Sequence, residues 1–219
     1  MRHEYRNHRG GYTFQQPDQV SANTEADKAN LVNRMRIVKR TRFNAHARME
    51  RKGQFSIFTL SVFALYVIGI SLYTTLFAEE LPSSKAKVLV FVSVVSSIFI
   101  IIVTFTEAMN DYRVKGLSFQ RCAMSVARLL QNLEVAEIQR NEELLWYTNQ
   151  YNNIIDRCPY NHHEVDYQMA LAAERQRKPK KNTSDYLFIL WRKFRYYQNI
   201  YGLYVLLLIA PVGLFYFSN

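Results

Sequence analysis

The chain has 219 residues, with 28 Lys or Arg against 18 Asp or Glu, a net charge of +10 and a pI of about 9.6. Nearly half the residues are apolar, yet mean hydropathy is only −0.19, so the apolar content is gathered into segments separated by strongly polar ones. Two cysteines exclude a disulfide-framework scaffold. Nothing resembles an RNA-binding module, so the basic charge is read as Lys and Arg retained beside anionic lipid.

Residues 1–23 hold Gly10-Gly11, Pro17 and many polar residues, and read as a disordered tail. His3 and His8 lie there without metal-ligand spacing. Thr24-Glu25-Ala26-Asp27 resembles a capping box, with Thr24 as the cap, and predicts a helix over 24–54. Leu31, Met35, Val38, Arg42, Ala45 and Met49 recur at spacings of three and four and share a face. Around them stand Arg34, Arg36, Lys39, Arg40, Arg42, Arg48, Arg51 and Lys52, a basic flank that reads as topogenic and in contact with lipid headgroups.

Two charge-free runs follow, 55–77 and 88–105. As helices rising about 1.5 Å per residue they span roughly 35 Å and 27 Å, against a hydrocarbon core about 30 Å thick. The break between them is short, so residues 55–105 form an antiparallel transmembrane hairpin rather than two buried helices of a soluble protein. No signal peptide precedes residue 55. The flank before residue 55 is intensely basic and the connecting loop is balanced, which puts the N-terminus and the region after 105 in the cytoplasm.

In the second crossing Ser93, Ser97 and Thr104 fall within about 40° on a helical wheel. Ser96 flanks them, Glu107 lies just below and Ile100 interrupts the stripe. Such a face suits close helix packing or the lining of a pore. The first crossing has Ser61, Gly69 and Ser71 but no matching stripe, and is expected to face lipid.

Residues 106–181 form a cytoplasmic helical region. A long helix is expected from Glu107 to about Ile155, with Gly116 as a possible kink and Cys122, Val126, Leu129, Leu133, Ala136 and Arg140 on one side. Cys122 and Cys158 fit free thiols in a reducing compartment. Adjacent His162 and His163, near Glu164 and Asp166, invite a metal site, but side chains one residue apart on a helix diverge by about 100°. A capping box is sufficient: Pro159 ends one helix, Asn161 caps the next and Glu164 completes the box. The basic stretch 175–181 leads into 182–219, where 186–197 mixes aromatic and basic residues like an interfacial helix. The apolar run 201–217 then suits a third membrane segment or a re-entrant anchor. The expected fold is an all-α membrane protein: a two-helix transmembrane hairpin, long cytoplasmic helices and a third C-terminal membrane segment.

Two stretches carry a family resemblance: 40–52, from Arg40-Thr41-Arg42 to Arg51-Lys52, and 151–167, above all Tyr160-Asn161-His162-His163-Glu164-Val165-Asp166-Tyr167. With the order basic helix, membrane hairpin, cytoplasmic helix, they resemble the SLATT proteins of bacteria over residues 30–170. Asn161, His162, Glu164, Asp166 and Tyr167 are the motif positions. The resemblance implies an oligomeric pore-forming or membrane-disrupting effector of anti-phage defence in the bacterial inner membrane. It also implies a partner system: a nucleotide-second-messenger synthase, a SLOG sensor or a reverse transcriptase. The run 201–217 departs from the minimal two-crossing plan. A non-conducting anchor for a defence complex is the alternative. No Walker loop, nucleophile elbow or Cys-x-x-Cys is present, so neither an enzyme, a cofactor nor direct nucleic-acid binding is expected.

Overall fold

The computed structural model describes the backbone of residues 4–6, 12–14, 17–138, 140–176 and 183–218, and the side chains of 24–138, 140–176 and 183–209. His3, His8 and the basic residues Arg177, Lys178, Lys180 and Lys181 lie outside the described residues. In the segment expected to be an unstructured tail, β1 (Glu4–Arg6) and β2 (Tyr12–Phe14) pair antiparallel, with Tyr5 opposite Thr13. The rest of the described chain is built from six helices.

The first helix, α1 (Pro17–Leu76), is unbroken for 60 residues and carries both the basic flank and the first apolar run. Its start lies seven residues before Thr24, so Thr24 is not a cap. That side chain is buried and its hydroxyl donates to Asn141 Oδ1 at 2.6 Å. A four-residue turn and Pro82 lead into α2 (Ser83–Met109). The two helices pair antiparallel: Ser71 Oγ lies 2.7 Å from Ser93 Oγ, and Phe63 meets Phe99 edge-on at 6.3 Å.

The apolar side chains of this hairpin point outward. Ile57, Leu65 and Leu72 on α1 and Phe91, Ile101 and Phe105 on α2 are all more than half exposed. Ser93 is the single buried residue of α2. Helices buried within a soluble protein would show the reverse, whereas a bilayer covers such surfaces. Among the described residues, two helices are long and apolar enough to cross a membrane.

The expected continuous helix from Glu107 to Ile155 is three pieces. The first break comes not at Gly116 but at Asp111, whose φ of 46° is left-handed, a conformation that a short Asp side chain tolerates better than most. Helix α3 (Tyr112–Val135) comes next, ending as Ala136 turns extended, and then α4 (Asn141–Asp156). Gly116 lies inside α3, where its missing side chain brings the backbone close to α1: a Cβ there would sit 3.6 Å from His46 Nδ1, and Nδ1 donates to the Gly116 carbonyl at 3.0 Å. The apolar faces read from spacing do meet. Leu31 and Met35 of α1, Val126, Leu129, Leu130 and Leu133 of α3, and Leu144 and Tyr151 of α4 form one core below the hairpin.

Helix α5 (Glu164–Gln176) and helix α6 (Thr183–Ser218) complete the bundle. Residues 186–197 are the first part of α6, continuous with the apolar run that follows. Their contacts on α1 advance in the same chain direction: Tyr196 donates to the Asn44 carbonyl at 2.8 Å, and Tyr201 packs on Phe55 at 4.7 Å. The helix therefore runs parallel to α1, and its apolar run 201–217 begins at the level where that of α1 begins.

Candidate functional site

Two of the eight basic residues of the flank, Arg42 and Arg48, are buried, and Arg34, Arg36 and Arg51 are exposed. Arg48, placed with the headgroup-contacting residues by sequence, is buried in the bundle and paired with Asp166 from the family-like motif. Its Nε donates to Asp166 Oδ1 at 2.8 Å and its Nη2 to Oδ2 at 2.9 Å. The two side chains are only 6 % and 0 % exposed. A fork of two parallel charge-assisted bonds is the strongest form of this contact, and burial makes each charge depend on the other.

Asp166 has a second duty. Its Oδ2 accepts the backbone N–H of His163 at 3.1 Å. This is the back half of a capping box with His163 as the cap and Asp166 three residues on, two positions later than the expected Asn161–Glu164 pair. The correction rests on burial: Asn161 and Glu164 are exposed, and the inward Asp166 both closes the helix end and receives Arg48. The Asp166 carbonyl also takes the side-chain amide of Asn44 at 3.1 Å. Tyr167, the remaining motif residue, is half-buried beside it.

Arg42 lies six residues before Arg48 on α1 and is also buried. It donates to the Tyr160 carbonyl and stands over the Phe119 ring at 5.7 Å, so it too is removed from the headgroups. Its Nε and the Nδ1 of neighbouring His162 have no hydrogen-bond partner. Burial, reinforced by Arg42, lowers the His162 pKa despite nearby Asp166 and Glu164. Burial also pushes the Tyr196 phenol up to about 12.

Three more of the basic residues brace α1 against its neighbours. Arg36 pairs with Glu134 of α3 at 2.6 Å, Arg40 with Glu174 of α5, and Arg34 stands over the Tyr151 ring at 5.4 Å. Lys39 is half-buried and Arg51 exposed. Periodicity could not assign these partners, because each lies roughly 100 or more residues away in sequence.

A second cluster marks the lower end of the hairpin. Glu107 accepts the Tyr204 hydroxyl at 2.7 Å and the Tyr112 hydroxyl at 3.3 Å, joining α2, α6 and α3. Lys52 stands over the Tyr112 ring at 5.7 Å. Burial, then Arg48, lowers the Lys52 pKa, and Glu107 opposes them. Gly53 makes room for this junction: a Cβ there would lie 3.3 Å from Tyr112 Cβ.

The hydroxyl stripe of α2 divides. Ser93 packs against α1, and Ser96 is half-buried. Ser97 and Thr104 are exposed, with hydroxyls donating to their own helix at Ser93 O and Ile100 O. The first crossing touches both other apolar helices, with Phe63 and Ser71 on α2 and Phe55 on α6, and leaves Ile57, Leu65 and Leu72 exposed. Its small buried residues Ser56 and Thr59 allow that approach.

The cysteines also differ from expectation. Cys122 of α3 and Cys158, just after α4, are joined as a disulfide with Cα atoms 6.1 Å apart. The antiparallel packing of α3 on α4 brings them together, which spacing could not reveal. No group of three or more metal-ligating side chains occurs among the described residues.

No curated protein and no solved structure matches the chain. Residues 24–217, which hold the core, the hairpin, the Arg48–Asp166 pair and α6, match a single family along their whole length. The chain belongs to the SMODS and SLOG-associating 2TM effector domain family 5, which makes it a membrane effector domain built on a two-helix hairpin.

Proposed function

We propose that this protein is a non-catalytic, oligomeric effector of the bacterial inner membrane, in which a cytoplasmic signal rearranges the hairpin so that the membrane leaks. The observation that carries this reading is the continuity of α1: one helix holds Arg48 in the buried core and enters the apolar run seven residues later. A shift of α3, α4 or α5 therefore reaches the hairpin without crossing a flexible joint. The family's association with SMODS and SLOG proteins supports a partner that supplies the signal. The basic flank supports a cytoplasmic N-terminus and core, and α6, parallel to α1, supplies a third membrane segment with its end outside.

Ser97 and Thr104, exposed on one protomer, are the hydroxyls that neighbouring copies would bring onto a wetted surface. Membrane potential in cells expressing the chain with its neighbouring genes tests this. Depolarisation on activation that is lost in Ser97→Leu/Thr104→Leu is the expected result. Intact potential with a co-purifying partner would establish the anchor reading instead, which the Ser71–Ser93 packing contact favours.

A further inference from the structure

We propose that Cys122 and Cys158 form a redox-responsive site that fastens and releases the segment between α4 and α5. The proposal rests on the orientation assigned from the basic flank: both sulfurs lie in the helical region placed in the cytoplasm. Disulfides there are uncommon and, when present, are usually transient and redox-sensing. The pair is nevertheless set for bond formation, with Cα atoms 6.1 Å apart across a sequence separation of 36, within the range a disulfide bridges without moving the backbone.

The two sulfurs differ in access. Cys122 is buried in α3 at 6 % exposure, whereas Cys158 is half-buried at the end of α4. An incoming thiolate therefore attacks the Cys158 sulfur, forms a mixed disulfide there and expels the Cys122 thiolate, which takes up a proton. The second thiol of a dithiol reductant then attacks its own sulfur in the mixed disulfide and releases Cys158. Two electrons pass from the reductant to the pair. In the reverse direction a hydroperoxide oxidises one thiolate to a sulfenic acid, leaving an alcohol or water. The other thiolate attacks that sulfur and closes the disulfide, expelling hydroxide, which takes up a proton and leaves as water.

The bond matters because of the residues just beyond Cys158 in the chain. Tyr160, two residues on, accepts Arg42 through its carbonyl and sets its ring 6.3 Å from Phe119. His163 is the cap held by Asp166, and Asp166 holds Arg48. The disulfide thus anchors to α3 the segment that frames the buried ion pair of α1. Closing it restrains that frame, and opening it leaves the segment held by noncovalent contacts alone.

The test uses the full-length chain in isolated membranes, with thiols read by a gel-shifting maleimide. A dithiol reductant applied to the folded protein should expose two thiols, and hydrogen peroxide should then protect both, reversibly. Single Cys122→Ser and Cys158→Ser variants should each show one alkylable thiol before any reductant is added, because neither can close the bond. Amides of 157–166 should exchange hydrogen at least tenfold faster in the reduced form. A bond that opens only on denaturation, thiols that stay alkylable after peroxide, or exchange unchanged by reduction would each overturn the proposal. A membrane-impermeant maleimide on intact, pre-reduced cells separates the two readings: labelling from outside would refute the assigned orientation, whatever the redox titration shows.

Discussion

Removing the Asp166 charge while leaving Arg48 should destabilise the fold more than any surface change. Asp166→Asn keeps the shape of the side chain but gives Arg48, only 6 % exposed, an amide in place of its counter-ion. The substitution leaves one carbonyl oxygen where two carboxylate oxygens accepted Arg48 Nε, Arg48 Nη2 and His163 N–H. Breaking one side of a buried pair costs about 3–5 kcal/mol. For a chain of this size, about 1 kcal/mol shifts Tm by roughly 2–4 °C, so the midpoint should fall by about 6–20 °C. The double variant Arg48→Met/Asp166→Leu removes both charges and should recover most of that loss, because a buried ion pair and an apolar pair of similar volume are close in stability. Thermal unfolding of the purified protein in detergent, followed by circular dichroism, measures both. A shift below about 3 °C for Asp166→Asn, or a double variant as unstable as the sum of its singles, would refute the assignment of this pair as the central polar tie.

Four further outcomes test other parts of the structure. Leu130→Ala, at a core position 2 % exposed, should cost about 2–5 kcal/mol in the same assay. Thr59→Val should stabilise by about 1 kcal/mol, because the Thr59 hydroxyl is buried without a partner and an unmet polar group is costly; a loss of stability would show that the hydroxyl is satisfied. Tyr204→Phe removes a hydrogen bond to the Glu107 carboxylate and should lower stability by about 1.5–3 kcal/mol, with a smaller effect in a Glu107→Gln background. His162 supplies the pH test. Its folded pKa lies below the ordinary 6.5, so the unfolded chain binds the proton more readily. Stability should be fully present above about pH 6.5 and decline as pH falls from there towards the folded pKa. His162→Asn should flatten that part of a Tm-against-pH profile, and an unchanged slope would assign the proton uptake to another group.

Much of the architecture is legible in the residues alone, because a long apolar run has few places to go. The spans 55–77 and 88–105, their antiparallel pairing and the apolar faces at Leu31, Met35, Val126 and Leu133 come from length and period. The motif residue Asp166 is likewise visible as a member of a family-like stretch. Its partner is not: Arg42 is marked by its place on the apolar face of α1, whereas Arg48 lies off that face and reads as one of eight similar cations.

Tertiary packing decided the rest. It chose which cations turn inward, because a guanidinium leaves water only where an acid, a carbonyl or a ring far along the chain meets it. It joined Cys122 to Cys158, because pairing depends on how α3 lies on α4. It moved the break in the long cytoplasmic helix to Asp111, since a glycine in close contact with His46 can stay helical while an aspartate adopts the left-handed turn. It also packed α6 parallel to α1, a pairing that an aromatic and basic composition alone does not specify. Periodicity records which face of a helix avoids water, but the identity of what covers that face is settled only when the helices come together.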